Sequence, residues 1–354
     1  MDGRKRRKPA GAEAELVIER IVKHMLRAMD SAVSGLRAHQ QKLDVIGHNI
    51  ANVNTVGYKS QSYTFKDTMY QSSTSSTRGT GTSGGVNAAQ FGYGSLMGTI
   101  SMDMTASTPT YVGGFSATID GEGFFVTKST RNPITVGSAD DTETIKGNDF
   151  DYTRVGNFKV DSEGYIVDGN GNFVYGFQGT WDAANKKIVF DYTKLAPLRV
   201  PSDVTIANGE MTGMTINDLV GKALEAKNVK INKAGDIEVT VQVEGTDAKG
   251  EDAKFTQTIT IGKVAIATFQ NQEGVTKNGS NYYKATLSDN TGRCSVGAPG
   301  DGRATLMPGY LEASNVDMAV EFSEMIMAER GFQANSKIIT VSDEILSDLI
   351  NMKR

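Results

Sequence analysis

Residues 47–59 read GHNIANVNTVGYK, from Gly47 to Lys59. Upstream, Leu26, Met29, Val33, Leu36, Leu43 and Ile50 follow steps of three and four, with Gln40 and Gly47 completing the series, which is the spacing of one face of an amphipathic helix. That helix therefore stops on three amide side chains and a glycine. Asn49, Asn52 and Asn54 suit a helix end, because carboxamides bond free carbonyls and tolerate left-handed backbone, and Gly57 lets the chain change direction. The other end of the chain repeats the design. Met318, Phe322, Met325, Phe332, Ile339, Leu346 and Ile350 are apolar on the same count, interrupted by Glu329, Ser336 and Asp343. Two seam-forming helices are expected, packing either on neighbours or on the core of their own domain.

Length and composition frame the middle. The 354 residues suffice for two or three domains, and 38% hydrophobic residues suffice for ordinary cores. Glycine is abundant, at 39 residues, while Cys and Trp occur once each, a balance that favours turn-rich β-structure. A net charge of -4, with no domain-sized excess of Lys and Arg, argues against a nucleic-acid footprint. A lone Cys294 cannot form an internal disulfide, and there is no apolar run of the ~18 residues that a membrane helix needs. The basic run Arg4 to Lys8 is followed by Glu13, Glu15, Glu19, Arg20 and Lys23, so a cleavable secretory signal is not expected. It reads as a solvated tail.

Residues 72–85 are Ser, Thr or Gly except Arg78, a composition expected of a flexible or partner-ordered linker. Beyond Phe91 the signals turn to strands. Phe158 and Val160, Tyr165 and Val167, and Phe173, Tyr175 and Phe177 are separated by the turns 161–164 and 168–171 and predict a three-strand meander. Ile237, Val239, Val241 and Val243 alternate, 247–250 turns, and Phe255, Ile259 and Ile261 return, predicting a second hairpin. A short helix is expected within 212–226.

Catalytic signatures are missing. His24, His39 and His48 lie at no metal-ligand spacing, and no nucleophile elbow, phosphate loop or zinc-protease motif occurs. Asp168-Gly-Asn-Gly-Asn172 opens like a calcium loop, but Phe173 and Gly179 stand where an EF-hand needs Gly and Glu, so it reads as a hairpin turn. Asn278-Gly-Ser280 also reads as a turn. No cofactor, metal or enzymatic activity is expected. The rival class, a secreted enzyme or carbohydrate-binding β-protein with coiled-coil ends, finds no residue constellation to support it.

Four ordered stretches carry a resemblance. The helix Met25 to Leu36 running into NIANVNT and Gly57-Tyr-Lys59, the stretch Ala117 to Val126, the pair Tyr152 to Phe158 and Asp161 to Tyr165, and the pair Gly309 to Asp317 and Glu329 to Asn335 together resemble the bacterial flagellar rod and hook axial proteins. The resemblance implies a mainly β chain with α-helical termini, a discontinuous multi-domain axial protein. Residues 25–55 and 315–354 would form a coiled-coil-like inner assembly domain, and 56–90 a linker. Residues 91–180 with 263–314 would form one β-rich domain, and 181–262 a small inserted outer one. Residues 1–24 look like an unstructured extension upstream of Met25, where family members begin.

The implied function is that of a polymer subunit. Hook is the first expectation, from the likeness of Ser336 to Thr340 and Leu349 to Arg354; the distal rod is the alternative, because the insert is small. The implied partners are copies of itself, the distal rod, the hook cap, the hook-filament junction proteins and the flagellar export apparatus. The implied location is the flagellum, outside the cell body.

Overall fold

The computed structural model describes residues 10–79, 84–136, 141–182, 187–200, 204–207, 210–214, 229–246, 252–300 and 303–352. The chain divides into a helical unit, built from residues up to 53, 61–102 and 316 onward, and a β unit, built from 54–60 and 103–315.

In the helical unit, α1 runs Ala10–Ala51 and α3 runs Met318–Met352. The first helix thus begins inside the stretch expected to be unstructured. Ala10-Gly-Ala-Glu-Ala-Glu-Leu16 is rich in strong helix formers, so propensity carries the helix upstream. The two helices pair antiparallel. Small residues let them approach: a Cβ on Gly35 would lie 2.9 Å from Asn335 Nδ2, and one on Gly331 would lie 2.5 Å from the His39 ring. Lys42 reaches Glu324 at 3.0 Å.

Strands β1 (Gln61–Asp67) and β4 (Ser95–Met102) form an antiparallel ribbon, extended by the hairpin of β2 (Tyr70–Thr74) and β3 (Ala89–Gly92). Much of the expected 56–90 linker is therefore strand. Hydroxyls pair across the ribbon, Ser62 with Ser101 and Thr64 with Thr99, each at 2.8 Å, which holds strands together where apolar residues are few. On α1, Gln41 accepts from the Tyr63 hydroxyl at 3.2 Å and the His39 ring meets that of Phe65 in a tilted contact at 5.1 Å. The terminal helices thus have neighbours within their own unit.

The β unit is organised by the strand Phe173–Asp182, which pairs along its length with Phe124–Lys128, Lys194–Pro197, Asp252–Val264 and Lys187–Phe190. The meander is present, with Lys159 opposite Val167 and Val167 opposite Phe173. So is the hairpin of Asp236–Thr246 with Asp252–Val264, although the turn expected at 247–250 lies outside the described residues. Edge-to-face aromatics fill the core, with Phe125 against Phe158 at 5.1 Å and Tyr152 against Phe269 at 4.9 Å. One short helix, α2 (Thr142–Gly147), is capped by the Asp141 side chain. The expected helix at 212–226 is corrected in part: Glu210–Met214 is a strand paired with Val204–Ala207, because Met211 and Met214 flank Thr212 and Gly213 in a bulged hairpin. Residues 215–228 lie outside the described residues.

Candidate functional site: the helix pair and the motif segments

The predicted stripe of α1 occupies one flank. Leu26 and Val33 are exposed, and Met29, Leu36, Leu43 and Ile50 are half-buried, while the buried positions are Ala32, Gly35, Ala38, Val45, Ile46 and Asn49. On α3, Met325, Phe332, Ile339 and Leu346 are half-buried beside the buried Ala328 and Ser342, whereas Met318, Phe322 and Ile350 are exposed. A second apolar row was missed by counting a single period. Val320, Met327, Ile338, Val341, Ile345 and Met352 are all exposed and recur at helical spacing, falling within roughly 60° of arc at 3.6 residues per turn. This row has the composition of a buried face and lies in solvent.

The three asparagines have separate fates. Asn49, 0% exposed, donates from Nδ2 to the Gln61 carbonyl at 2.8 Å and to Glu321 Oε1 at 2.8 Å, and its Oδ1 accepts from the Gln61 amide at 3.0 Å. Its carboxamide does what a strand neighbour's peptide would do, ties the start of β1 to the end of α1, and reaches the first turn of α3. Asn52 is a helix cap, donating to the His48 carbonyl at 2.9 Å. Asn54 is exposed. Burial raises the Glu321 carboxyl above its ordinary range; the Asn49 hydrogen bond opposes that shift.

Within the β unit, segment 54–60 is threaded through donors and acceptors. Gly57 adopts φ +69°, donates to the Glu312 carbonyl at 2.8 Å, and has no room for a Cβ, which would lie 2.9 Å from Val155. Asn281 donates to the Val56 carbonyl at 2.9 Å, Lys277 to that of Lys59 at 3.0 Å, and the Ser60 amide to Asn315 Oδ1 at 2.7 Å. Beneath them, Lys59 Nζ meets Glu312 Oε1 at 2.7 Å and the Thr105 carbonyl at 2.6 Å, and Arg154 lies 3.7 Å from Glu312 Oε2. Lys59, Arg154 and Glu312 are 0%, 1% and 2% exposed. Burial lowers the pKa of both cations. The quoted motifs had contained all three residues, but nothing in their spacing says that they meet.

Asp168 stands at a turn, where it accepts from the Asn170 and Asn172 amides at 2.9 Å and from the Tyr282 hydroxyl. The turn expected at Asn278 to Ser280 is shifted: Asn278 and Gly279 end the strand Thr276–Gly279, and the turn is made by Ser280 and Asn281, both at positive φ. Among the described residues no helix is long and apolar enough to cross a membrane.

Comparison with known proteins agrees with this architecture. Residues 29–59 match the family described as flagella basal body rod protein, 144–239 the flagellar hook protein FlgE/F/G D1 domain, and 307–352 the flagellar basal body rod FlgEFG protein C-terminal region. The flagellar basal-body rod protein FlgG of Bacillus subtilis is 36% identical, over 93% of this chain and 100% of its own length. The flagellar hook protein FlgE of Borreliella burgdorferi is 27% identical over the same shares, and FlgG of Caulobacter vibrioides is 28% identical over 91% of this chain and 97% of its own. The matches fall on the first helix with its polar end motif, on the β-rich middle and on the last helix, and they place the chain among the flagellar axial proteins. The chain belongs to the flagellar rod and hook family, whose members are structural subunits.

Proposed function

We propose that this chain is the subunit of the distal rod, polymerising into the tubular shaft of the flagellar basal body, rather than of the hook. The observation that carries this reading is the economy of the alignments. The match to the rod protein of Bacillus subtilis takes 332 positions for 93% of this chain, so almost none of that rod protein lacks a counterpart here, whereas matching the hook protein of Borreliella burgdorferi takes 467 positions for the same share, so much of that hook protein has no counterpart here. The paired helices supply the polymer contact. Gly35 and Gly331 let them approach each other, and the large side chains of Val320, Met327, Ile338, Val341 and Ile345 are exposed for copies of the same chain to cover. The partners implied are further copies, the neighbouring segments of the axial structure and the export apparatus.

Deleting the gene tests the reading. Loss of a distal rod subunit leaves basal bodies whose shaft stops short and carries no hook. Basal bodies with a complete shaft lacking only the curved segment would assign the chain to the hook, a reading that keeps the support of a hook relative matched over its whole length.

A further inference from the structure

Lys59, Arg154 and Glu312 come from three remote segments of the β unit and are shut from solvent with two positive charges to one negative. The arrangement is incompletely satisfied even when closed: among the described residues, Arg154 Nε and Glu312 Oε2 have no hydrogen-bond partner. Glu312 is nevertheless the hub. Its Oε1 accepts from Lys59 Nζ and from the Ser107 amide at 3.2 Å, and its carbonyl accepts from Gly57. Arg154 is held in place by the Gly121 carbonyl at 2.9 Å and the Phe124 ring at 5.4 Å, so it cannot follow a departing carboxylate into water without breaking core contacts. Around the hub, Asn315 accepts from the Ser60 amide and donates to the Asp103 carbonyl at 2.9 Å, and the Asp103 amide returns a bond to the Ser60 carbonyl at 2.9 Å.

We propose that Glu312 is an electrostatic latch, and that segments 54–60, 103–107, 151–154 and 309–315 close or open together as one cooperative piece governed by it. Removing one partner of a buried ion cluster leaves an uncompensated charge inside the protein, whereas replacing the whole cluster by apolar groups of similar size is tolerated. Closure thus requires the motif following the first helix and the motif preceding the last to be present at once. A chain missing either keeps this part of the β unit open. The latch rests on the geometry alone and stands or falls independently of the rod assignment.

Hydrogen exchange on the full-length chain tests it. In Glu312→Gln, amide exchange at 54–60, 103–107, 151–154 and 309–315 is expected to accelerate together by roughly 100- to 1,000-fold, with the amides of 38–49 in α1 unchanged. In the triple variant Lys59→Met, Arg154→Met, Glu312→Leu, protection returns to within about tenfold of wild type. Acceleration confined to 309–315 overturns the proposal. So does a triple variant no better protected than the single one, since packing and not charge would then be responsible. Should Glu312→Gln fail to fold, the triple variant decides alone: a folded chain supports the latch, an unfolded one refutes it.

Discussion

Replacing Asn49 by alanine separates a structural keystone from an ordinary helix cap. The substitution removes three hydrogen bonds at a fully buried site and leaves the amide and carbonyl of Gln61 and the carboxylate of Glu321 facing a methyl group. Each buried polar group left unpaired costs about 1–3 kcal/mol, but Gln61 and Glu321 are only half-buried, so water restores part of the loss. The expected penalty is about 2–4 kcal/mol, a factor of roughly 30 to 1,000 in the local equilibrium. Asn52→Ala loses the bond to the His48 carbonyl at the half-buried end of α1 and should cost about 0.5–1 kcal/mol; exposed Asn54→Ala should cost under about 0.5 kcal/mol.

Helical circular dichroism during urea unfolding gives the ranking, and hydrogen exchange at residues 61–63 gives the location. Asn49→Asp adds a sign. Its carboxylate would face the Gln61 carbonyl and Glu321, so its folded pKa lies above the unfolded one, and the proton-dependent stability is present at low pH and lost as pH rises through the folded pKa. The variant should therefore recover at acid pH relative to wild type. Equal penalties for all three alanine variants, or an Asn49→Asp variant that is best at neutral pH, would refute the reasoning and reduce Asn49 to a cap.

Ile338→Asp combined with Ile345→Asp should lower the monomer's unfolding midpoint only modestly, because each side chain is already 44% exposed, while abolishing sedimentable polymer. Gly94→Ala should destabilise the helical unit by more than about 2 kcal/mol, since φ is +110° and the Cβ would fall 1.9 Å from Ser34 Oγ; Gly47→Ala, on an exposed helical site with nothing within 4 Å, should stabilise it by about 0.5–1 kcal/mol in thermal melts. Burial lowers the Lys277 pKa to about 8, so the unfolded chain binds more protons than the folded one above that pH. Stability should rise between pH 8 and 9.5 in wild type, and the rise should shrink in Lys277→Met.

What could be read from the sequence follows from what local pattern encodes. The helices, the meander and the Asp168 turn are local events, and three-and-four spacing, alternation and Gly-containing turns report them directly. The ribbon of β1 to β4 escaped, because Ser62, Thr64, Thr99 and Ser101 hold strands together by hydroxyl pairing and not by the apolar alternation that signals a strand. Asn49 was singled out for the right position and the wrong reason: its type announced a helix end, but its partners Gln61 and Glu321 are 12 and 272 residues away. Lys59, Arg154 and Glu312 lay in quoted motifs, yet no spacing rule brings residues of three such segments together.

The second row on α3 explains why a single heptad-like count misleads in such a chain. A helix of an isolated domain keeps its large apolar residues on the side facing its core. Here Gly35 and Gly331 let α1 and α3 approach, against Asn335 and His39, while Val320, Met327, Ile338, Val341, Ile345 and Met352 are exposed. Each of those large side chains gains about 1 kcal/mol or more when its exposed part is covered, so the row as a whole gains on the order of several kcal/mol from a covering neighbour. The helix pair therefore has apolar surface that only a neighbour can bury. An apolar distribution turned outward in this way favours a subunit whose core is completed by other copies, and it makes the stability of the helices depend on protein concentration, which dilution of assembled material would reveal as loss of helical signal ahead of any loss in the β unit.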